Sequence, residues 1–184
     1  MKRKTMLVYS RPLFRTCEIV CNHAARMLLN PNLLGRPEVR DHLADLNRRR
    51  VDHQLVLRDL GQSHISICAD CRGKCCWGGR ERDAFTDRVL QDPDSPHLKA
   101  RRRTDALKDA TTCPELTPEG CRLPYEQRPV QCSAYFCNDT INQLSREECR
   151  AGIRALAGLM KVQIETVGMA LKRRFSRRRR ARTP

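Results

Sequence analysis

The chain has 184 residues, of which 40% are hydrophobic and only 4% aromatic, and its net charge is +15 at pH 7. A core with so few large side chains is thin, and thin cores commonly need a covalent or metal staple. No stretch reaches the roughly 20 apolar residues of a membrane span, and the apolar run after the basic start ends at Val8, too early for a secretory signal. We therefore expect a cytoplasmic protein with no membrane span, whose 11 cysteines stay reduced.

The first predicted element is an amphipathic helix over residues 12–30, ended by Asn30-Pro31. Two of its cysteines lie one turn apart on the apolar face, where we interpret them as small buried hydrophobes rather than metal ligands. The apolar positions that define this face are Leu13, Cys17, Val20, Cys21, Ala24, Met27 and Leu28.

A second helix is predicted from Pro37, a residue suited to the first helical position, to about Leu60. Residues 48–50 are all arginine, and we expect them to face solvent or to form a loop. Histidines in this region could complete a zinc site, but none has ligand-like spacing to a cysteine pair. We therefore expect surface or helix positions for His42, His53 and His64.

The C-terminal helix has a clear start signal, because Ser145 and Glu148 fit a capping box. Its apolar stripe continues to Phe175, which gives about 28 residues or roughly 42 Å. Cys149 lies in its first turn and is expected to be structural. Before this helix, we predict a short helix over Ala84–Leu90 and irregular backbone over Cys113–Cys137.

Eight central cysteines are too dense for packing alone, since they include adjacent and i,i+3 pairs. In a C-x-x-C unit, two thiolates can converge on one cation across a tight turn, and the neighbouring Arg72 and Lys74 favour the thiolate form. Metal binding would add folding free energy that this core lacks. The predicted metal ligands are Cys68, Cys71, Cys75, Cys76, Cys113, Cys121, Cys132 and Cys137.

The stretch CADCRGKCC resembles the CxxCxxxCC signature of the YkgJ-like cysteine-cluster family, a zinc- or iron-chelating domain. The later stretch CPELTPEGCRLPYEQRPVQCSAYFC is similar to the second half of that family's pattern, including Tyr125, Arg128 and Pro129. The resemblance covers residues 68–137 and implies that the same eight cysteines chelate a metal or an iron–sulfur centre. It implies no particular reaction.

The identity of the centre stays open at this level. Eight thiolates could form two Cys₄ zinc sites, or a [4Fe–4S] cluster with four ligands left for a second centre, and soft all-thiolate ligation suits both. We favour iron–sulfur slightly. Closed zinc sites imply structure, whereas a cluster would leave redox sensing or electron transfer open.

The sequence is compatible with three functions. The first is a non-catalytic, structural or redox-responsive metal-binding protein whose basic arms contact a polyanionic or protein partner, a nucleic acid or an acidic protein. The second is an enzyme, because the same cysteine motif is similar to that of flagellin lysine N-methylases, which use S-adenosylmethionine; the chain shows no Gly-rich nucleotide loop, so catalysis is disfavoured. The third is a phosphate-driven nucleic-acid binder.

We predict a mostly α fold, in which long N- and C-terminal helices brace an irregular, cysteine-rich, metal-bound core. The predicted divisions are a helical N-terminal region (1–65), a cysteine-cluster domain (66–140), an amphipathic helix (141–171) and a basic disordered tail (172–184).

Overall fold

The computed structural model describes residues 2–28, 37–63, 89–90, 116–117, 120–121, 130, 134, 136 and 138–180. This part of the chain is mostly α, as predicted, with one antiparallel strand pair that places Leu116 opposite Cys121. The predicted metal-bound core lies largely outside it. The elements are α1 (Lys2–Leu28), α2 (Pro37–Gln62), β1 (Leu116–Thr117), β2 (Gly120–Cys121), α3 (Asn138–Gln143) and α4 (Arg146–Arg180).

The helix boundaries follow local signals in the sequence. The backbone N–H of Ser145 donates to Glu148 Oε2 at 2.7 Å, and the N–H of Glu148 donates to Ser145 Oγ at 3.2 Å, which confirms the capping box at the start of α4. The helix continues past the predicted boundary at Leu171 and through Arg180. The predicted span of α2 is confirmed to within two residues.

α1 begins ten residues earlier than predicted, at Lys2, and contains Pro12 within the helix. Pro12 has no N–H to donate, so the helix lacks one intrahelical hydrogen bond there, and the proline ring also crowds the carbonyl four residues earlier, yet the helix continues through this position. Thr16 Oγ1 donates to the Pro12 carbonyl at 2.9 Å. The predicted helix began at residue 12 because the apolar positions at helical spacing begin with Leu13.

α4 is the central helix of the described part, since it packs against both α1 and α2. Its apolar side chains are shared between two buried clusters. Cluster A consists of Phe14, Leu57, Leu60, Val130, Ala134, Phe136, Ile141, Leu144, Cys149, Ala155, Leu156 and Leu159. Cluster B consists of Ala25, Val39, Leu43, Leu46, Leu90, Val162 and Met169.

Cluster membership gives the directions of the helices. α1 contributes Phe14 to cluster A and Ala25 to cluster B, and α4 contributes Leu159 to cluster A and Met169 to cluster B. These two helices therefore run in the same direction. α2 runs in the opposite direction, because its N-terminal part, with Leu46, lies in cluster B.

Two burial predictions are wrong. Arg50 was expected to face solvent or lie in a loop, but it is helical and only 1% exposed, because it lies four residues after the buried Leu46 on the same helix face. On α1, Leu13, Val20 and Met27 lie on the predicted apolar face but are exposed, since α4 covers only one side of a wide apolar arc. None of the described helices combines the length and apolar character needed to cross a bilayer.

Candidate metal centre and its helical frame

Cys121 is the one predicted metal ligand that falls within the described residues, and its backbone lies in β2. The strand pairing reverses the chain between Thr117 and Gly120 and sets Cys121 opposite Leu116. A reversed chain suits two ligands taken from either side of a turn. The other seven predicted ligands lie outside the described part: Cys68, Cys71, Cys75, Cys76, Cys113, Cys132 and Cys137.

The two ends of the cysteine-rich segment come together in cluster A. Leu60, which precedes the segment, and Phe136, near its end, are both buried there. A Cβ built on Gly61 would lie 3.8 Å from Cε1 of Phe136, in ordinary van der Waals contact. The bundle thus fixes the points at which the cysteine-rich segment begins and ends, on the same side of α4.

The second half of the segment has further anchors in the same cluster. Val130 and Ala134, which lie on either side of Cys132 in the sequence, are buried in cluster A. α3 begins at Asn138, directly after Cys137, and buries Ile141 in this cluster as well. α3 was not predicted from the sequence, because its six residues are too few to show helical periodicity.

Three cysteines outside the predicted array are described, and all are free thiols. Cys149 is fully buried in cluster A, which confirms its predicted structural role. The Sγ atoms of Cys17 and Cys21 lie 3.8 Å apart on α1. Burial, the charge of an ionised Cys17 and the hydrogen bond with Cys17 raise the pKa of Cys21 to about 12. Cys21 is therefore a protonated, unreactive thiol at neutral pH.

Among the described residues, no group of three or more His, Cys, Asp or Glu side chains is placed to hold a metal ion. Of the three histidines expected at surface or helix positions, His42 is exposed and His53 half-buried on α2, and His64 lies outside the described residues. The metal hypothesis therefore depends on the eight central cysteines and on the frame that holds the ends of their segment.

A set of buried polar side chains, which we call the polar layer, lies beside the two clusters. On α1 and α2 its members lie between the positions that enter cluster A and cluster B, whereas on α4 they lie between Val162 and Met169, which both belong to cluster B. One sequence signal marks the layer: Arg50 and Gln54 interrupt the apolar face that Leu46 and Leu57 define. The layer consists of Glu18, Arg50, Gln54, Gln163 and Thr166.

The side chains of this layer are almost inaccessible to solvent. Arg50 Nε donates to Asn47 Oδ1 at 2.9 Å, and Thr166 Oγ1 donates to the Val162 carbonyl at 2.8 Å. The amide Nε2 and Oε1 atoms of Gln163 are buried and make no hydrogen bond. Both hydrogen bonds lie within a single helix, and they pair buried polar groups that would otherwise cost free energy.

An ion pair joins α2 to α4 beside the layer. Arg49 Nη1 donates to Glu165 Oε2 at 2.6 Å, and Nη2 donates to Oε1 at 3.1 Å, which is the bidentate geometry of a strong pair. The hydrogen bonds from Arg49, followed by nearby positive charges, hold the pKa of Glu165 below its ordinary value. The carboxylate is therefore ionised at neutral pH and fixes the register of the two helices.

A second contact between α2 and α4 depends on a glycine. A Cβ on Gly158 would overlap the His53 imidazole, so the ring can lie against α4 only because this residue has no side chain. Burial, and then the Arg49 charge, hold the pKa of His53 below its ordinary value despite the neighbouring Asp52. The imidazole borders an open groove of about 350 Å³, which is lined by His53, Val56, Ala151, Arg154 and Ala155.

Comparison of the chain with family models, with curated proteins and with solved structures finds no match in any of the three. The resemblance to the YkgJ-like family therefore stays a prediction based on the cysteine spacing.

Proposed function

We propose that the chain is a non-catalytic metal-binding protein, in which a helical bundle holds a cysteine-rich segment around an iron–sulfur or zinc centre. The ligands are Cys68, Cys71, Cys75, Cys76, Cys113, Cys121, Cys132 and Cys137. A reducing, cytoplasmic setting belongs to the proposal, because these thiolates must stay free of disulfides.

The observation that carries the proposal is the meeting of the segment's two ends in cluster A. With Leu60 and Phe136 in one apolar cluster, the segment leaves and rejoins the same part of the bundle. The first four cysteines and the last two lie close to these ends in the sequence. Because the bundle already holds the two ends together, the entropy cost of closing this loop need not be met again when thiolates gather on a metal.

The chemistry of the donor set also supports a metal centre. Cysteine thiolates are soft ligands that suit zinc and iron–sulfur clusters and disfavour magnesium or calcium. When bound, an iron–sulfur centre would supply one-electron redox chemistry, and zinc would supply structural stability.

The test is the metal content of the full chain purified without oxygen, together with its absorbance near 400 nm. We expect at least about one equivalent of iron with sulfide, or of zinc, for each chain. The Cys71→Ser variant is expected to lose half or more of this metal. Cys17→Ser, a change outside the array, is the matched control and is expected to keep all of it.

Two outcomes would contradict the proposal. One is less than about half an equivalent of every metal in the wild-type protein. The other is equal metal loss in the Cys71→Ser and Cys17→Ser variants, since that would separate the bound metal from the cysteine array. A band near 400 nm accompanied by sulfide indicates iron–sulfur, whereas zinc is colourless.

In this proposal, the basic C-terminal sequence binds a polyanionic partner. α4 continues through Lys172–Arg180, a sequence that contains no acidic residue, so the positive charge extends along a helix. We expect salt-dependent binding to RNA or DNA through phosphate contacts. Deletion of residues 172–184 is expected to weaken binding at least tenfold at low salt, as measured by fluorescence anisotropy. Unchanged affinity would exclude this role.

A further inference from the structure

α1 carries a second apolar row in addition to the face that packs on α4. Leu13, Val20 and Met27 are spaced seven residues apart and are 61%, 61% and 67% exposed. The half-buried Cys17 and Ala24 lie between them, which gives the alternating spacing of four and three residues that is typical of helix-to-helix seams.

α4 has a row of the same kind. Ile164 is 55% exposed and Leu171 is 38% exposed. The half-buried Met160 and Val167 complete a spacing of four, three and four residues. Both rows therefore have the periodicity that accepts the side chains of another helix.

The two rows lie on the same side of the α1–α4 pair. On α4, Gly158 and Glu165 contact α2, and the apolar row is centred about 140° around the helix axis from them. On α1, the apolar row lies about 100° around the helix axis from the buried Phe14, Glu18 and Cys21. It therefore lies on the side of α1 that is turned away from α2. Because α1 and α4 run in the same direction, the rows form one surface opposite α2, which we call the open face.

The charges around the open face are positive. Arg150 and Lys161 are exposed on α4 along the border of its apolar row, whereas Arg154 lines the groove beside α2. On α1, the only acidic residue is Glu18, which is buried. A complementary ligand for this face therefore combines apolar residues with negative charge.

Two other occupants fit these observations less well. A second copy of the chain would bring together two molecules that each carry a charge of +15, and their repulsion opposes association. A membrane-binding face usually presents aromatic side chains at the interface, whereas the exposed large residues here are aliphatic: Leu13, Val20, Met27, Ile164 and Leu171.

We propose that the open face binds an acidic amphipathic helix of a partner protein, which packs along α1 and α4 and completes a four-helix arrangement. Apolar residues of the partner at spacings of three and four would fill the seam. Its acidic residues would lie against Arg150 and Lys161. This proposal is independent of the metal centre.

The experiment measures binding of the full, metal-loaded chain to a labelled peptide of about three heptads, with Leu at the seam positions and Glu on the flanks. Fluorescence anisotropy is expected to show saturable binding. The Val20→Ser/Ile164→Ser double variant replaces two solvent-exposed side chains. It is expected to bind the peptide at least tenfold more weakly than the wild-type chain. Val56→Ser, which alters an exposed apolar residue on α2, is the matched control and is expected to change affinity less than twofold.

Specific outcomes would overturn the proposal. The first is that the peptide shows no saturable binding at concentrations up to about 100 μM, since helix-in-groove recognition normally has a lower Kd. Equal binding of a peptide with Lys in place of Glu is another, because it would remove the charge argument. A dimer in sedimentation that dissociates in the double variant would assign the face to a second copy. Binding to phosphatidylserine vesicles that the double variant abolishes, without peptide binding, would assign it to a membrane.

Discussion

Replacement of Arg50 with Met is expected to lower the free energy of unfolding by about 3–5 kcal/mol. Arg50 is 1% exposed, and the polar layer also contains Glu18, likewise 1% exposed. Removal of the guanidinium leaves a carboxylate as the only charged group in the layer. A charge isolated in this way must either lose its hydration or take up a proton, and both cost free energy.

The control for this prediction is Arg48→Met, which changes the same residue type on the same helix. The Arg48 side chain is 73% exposed and pairs with Asp45, so we expect a change within about 0.5 kcal/mol. The Glu18→Leu/Arg50→Met double variant is expected to be more stable than Arg50→Met, because both charges leave the layer together. Urea titration followed by circular dichroism measures all three. Equal stability of the Arg50→Met and Arg48→Met variants would show that the layer does not constrain the bundle.

Removal of the metal is expected to destabilise the part of the bundle around cluster A and to leave the part around cluster B nearly unchanged. The cysteine-rich segment enters and leaves through cluster A, so release of the metal frees the chain on both sides of Leu60 and Phe136. We expect the apo-protein to lose about 3 kcal/mol or more, which corresponds to a fall in Tm of roughly 6–12 °C for a chain of this size.

Amide hydrogen exchange of the holo- and apo-proteins measures this effect locally. Amides of α4 near Leu156 and Leu159, in cluster A, are expected to lose protection at least tenfold when a chelator removes the metal. Amides near Met169, in cluster B, serve as the internal control and are expected to change little. Uniform loss of protection along α4 would contradict local coupling, and unchanged protection throughout would show that the metal does not brace the bundle.

The sequence was sufficient to predict the long helices, because local signals set their ends. Pro37 marked the start of α2, and the capping box of Ser145 and Glu148 marked that of α4. The start of α1 at Lys2 was missed because the prediction followed the apolar periodicity, which begins with Leu13. The cysteine array is a feature of the sequence itself, and its arrangement around a metal stays a prediction.

The burial of side chains could not be predicted in the same way, since it depends on which neighbours cover a helix. Val20 and Cys21 belong to the same apolar arc of α1, yet α4 covers Cys21 and leaves Val20 exposed. Arg50 was assigned to solvent by residue type, but its position in line with Leu46 places it inside the bundle. Periodicity identifies an apolar arc, whereas tertiary packing decides how much of it is buried.

X-ray absorption at the iron or zinc edge of the anaerobically purified full chain tests the central claim most directly, because it measures the atoms bound to the metal. We expect a first shell of sulfur alone, at about 2.3 Å, with a further iron–iron distance if the centre is a cluster. A first shell dominated by nitrogen or oxygen would contradict ligation by the cysteine array.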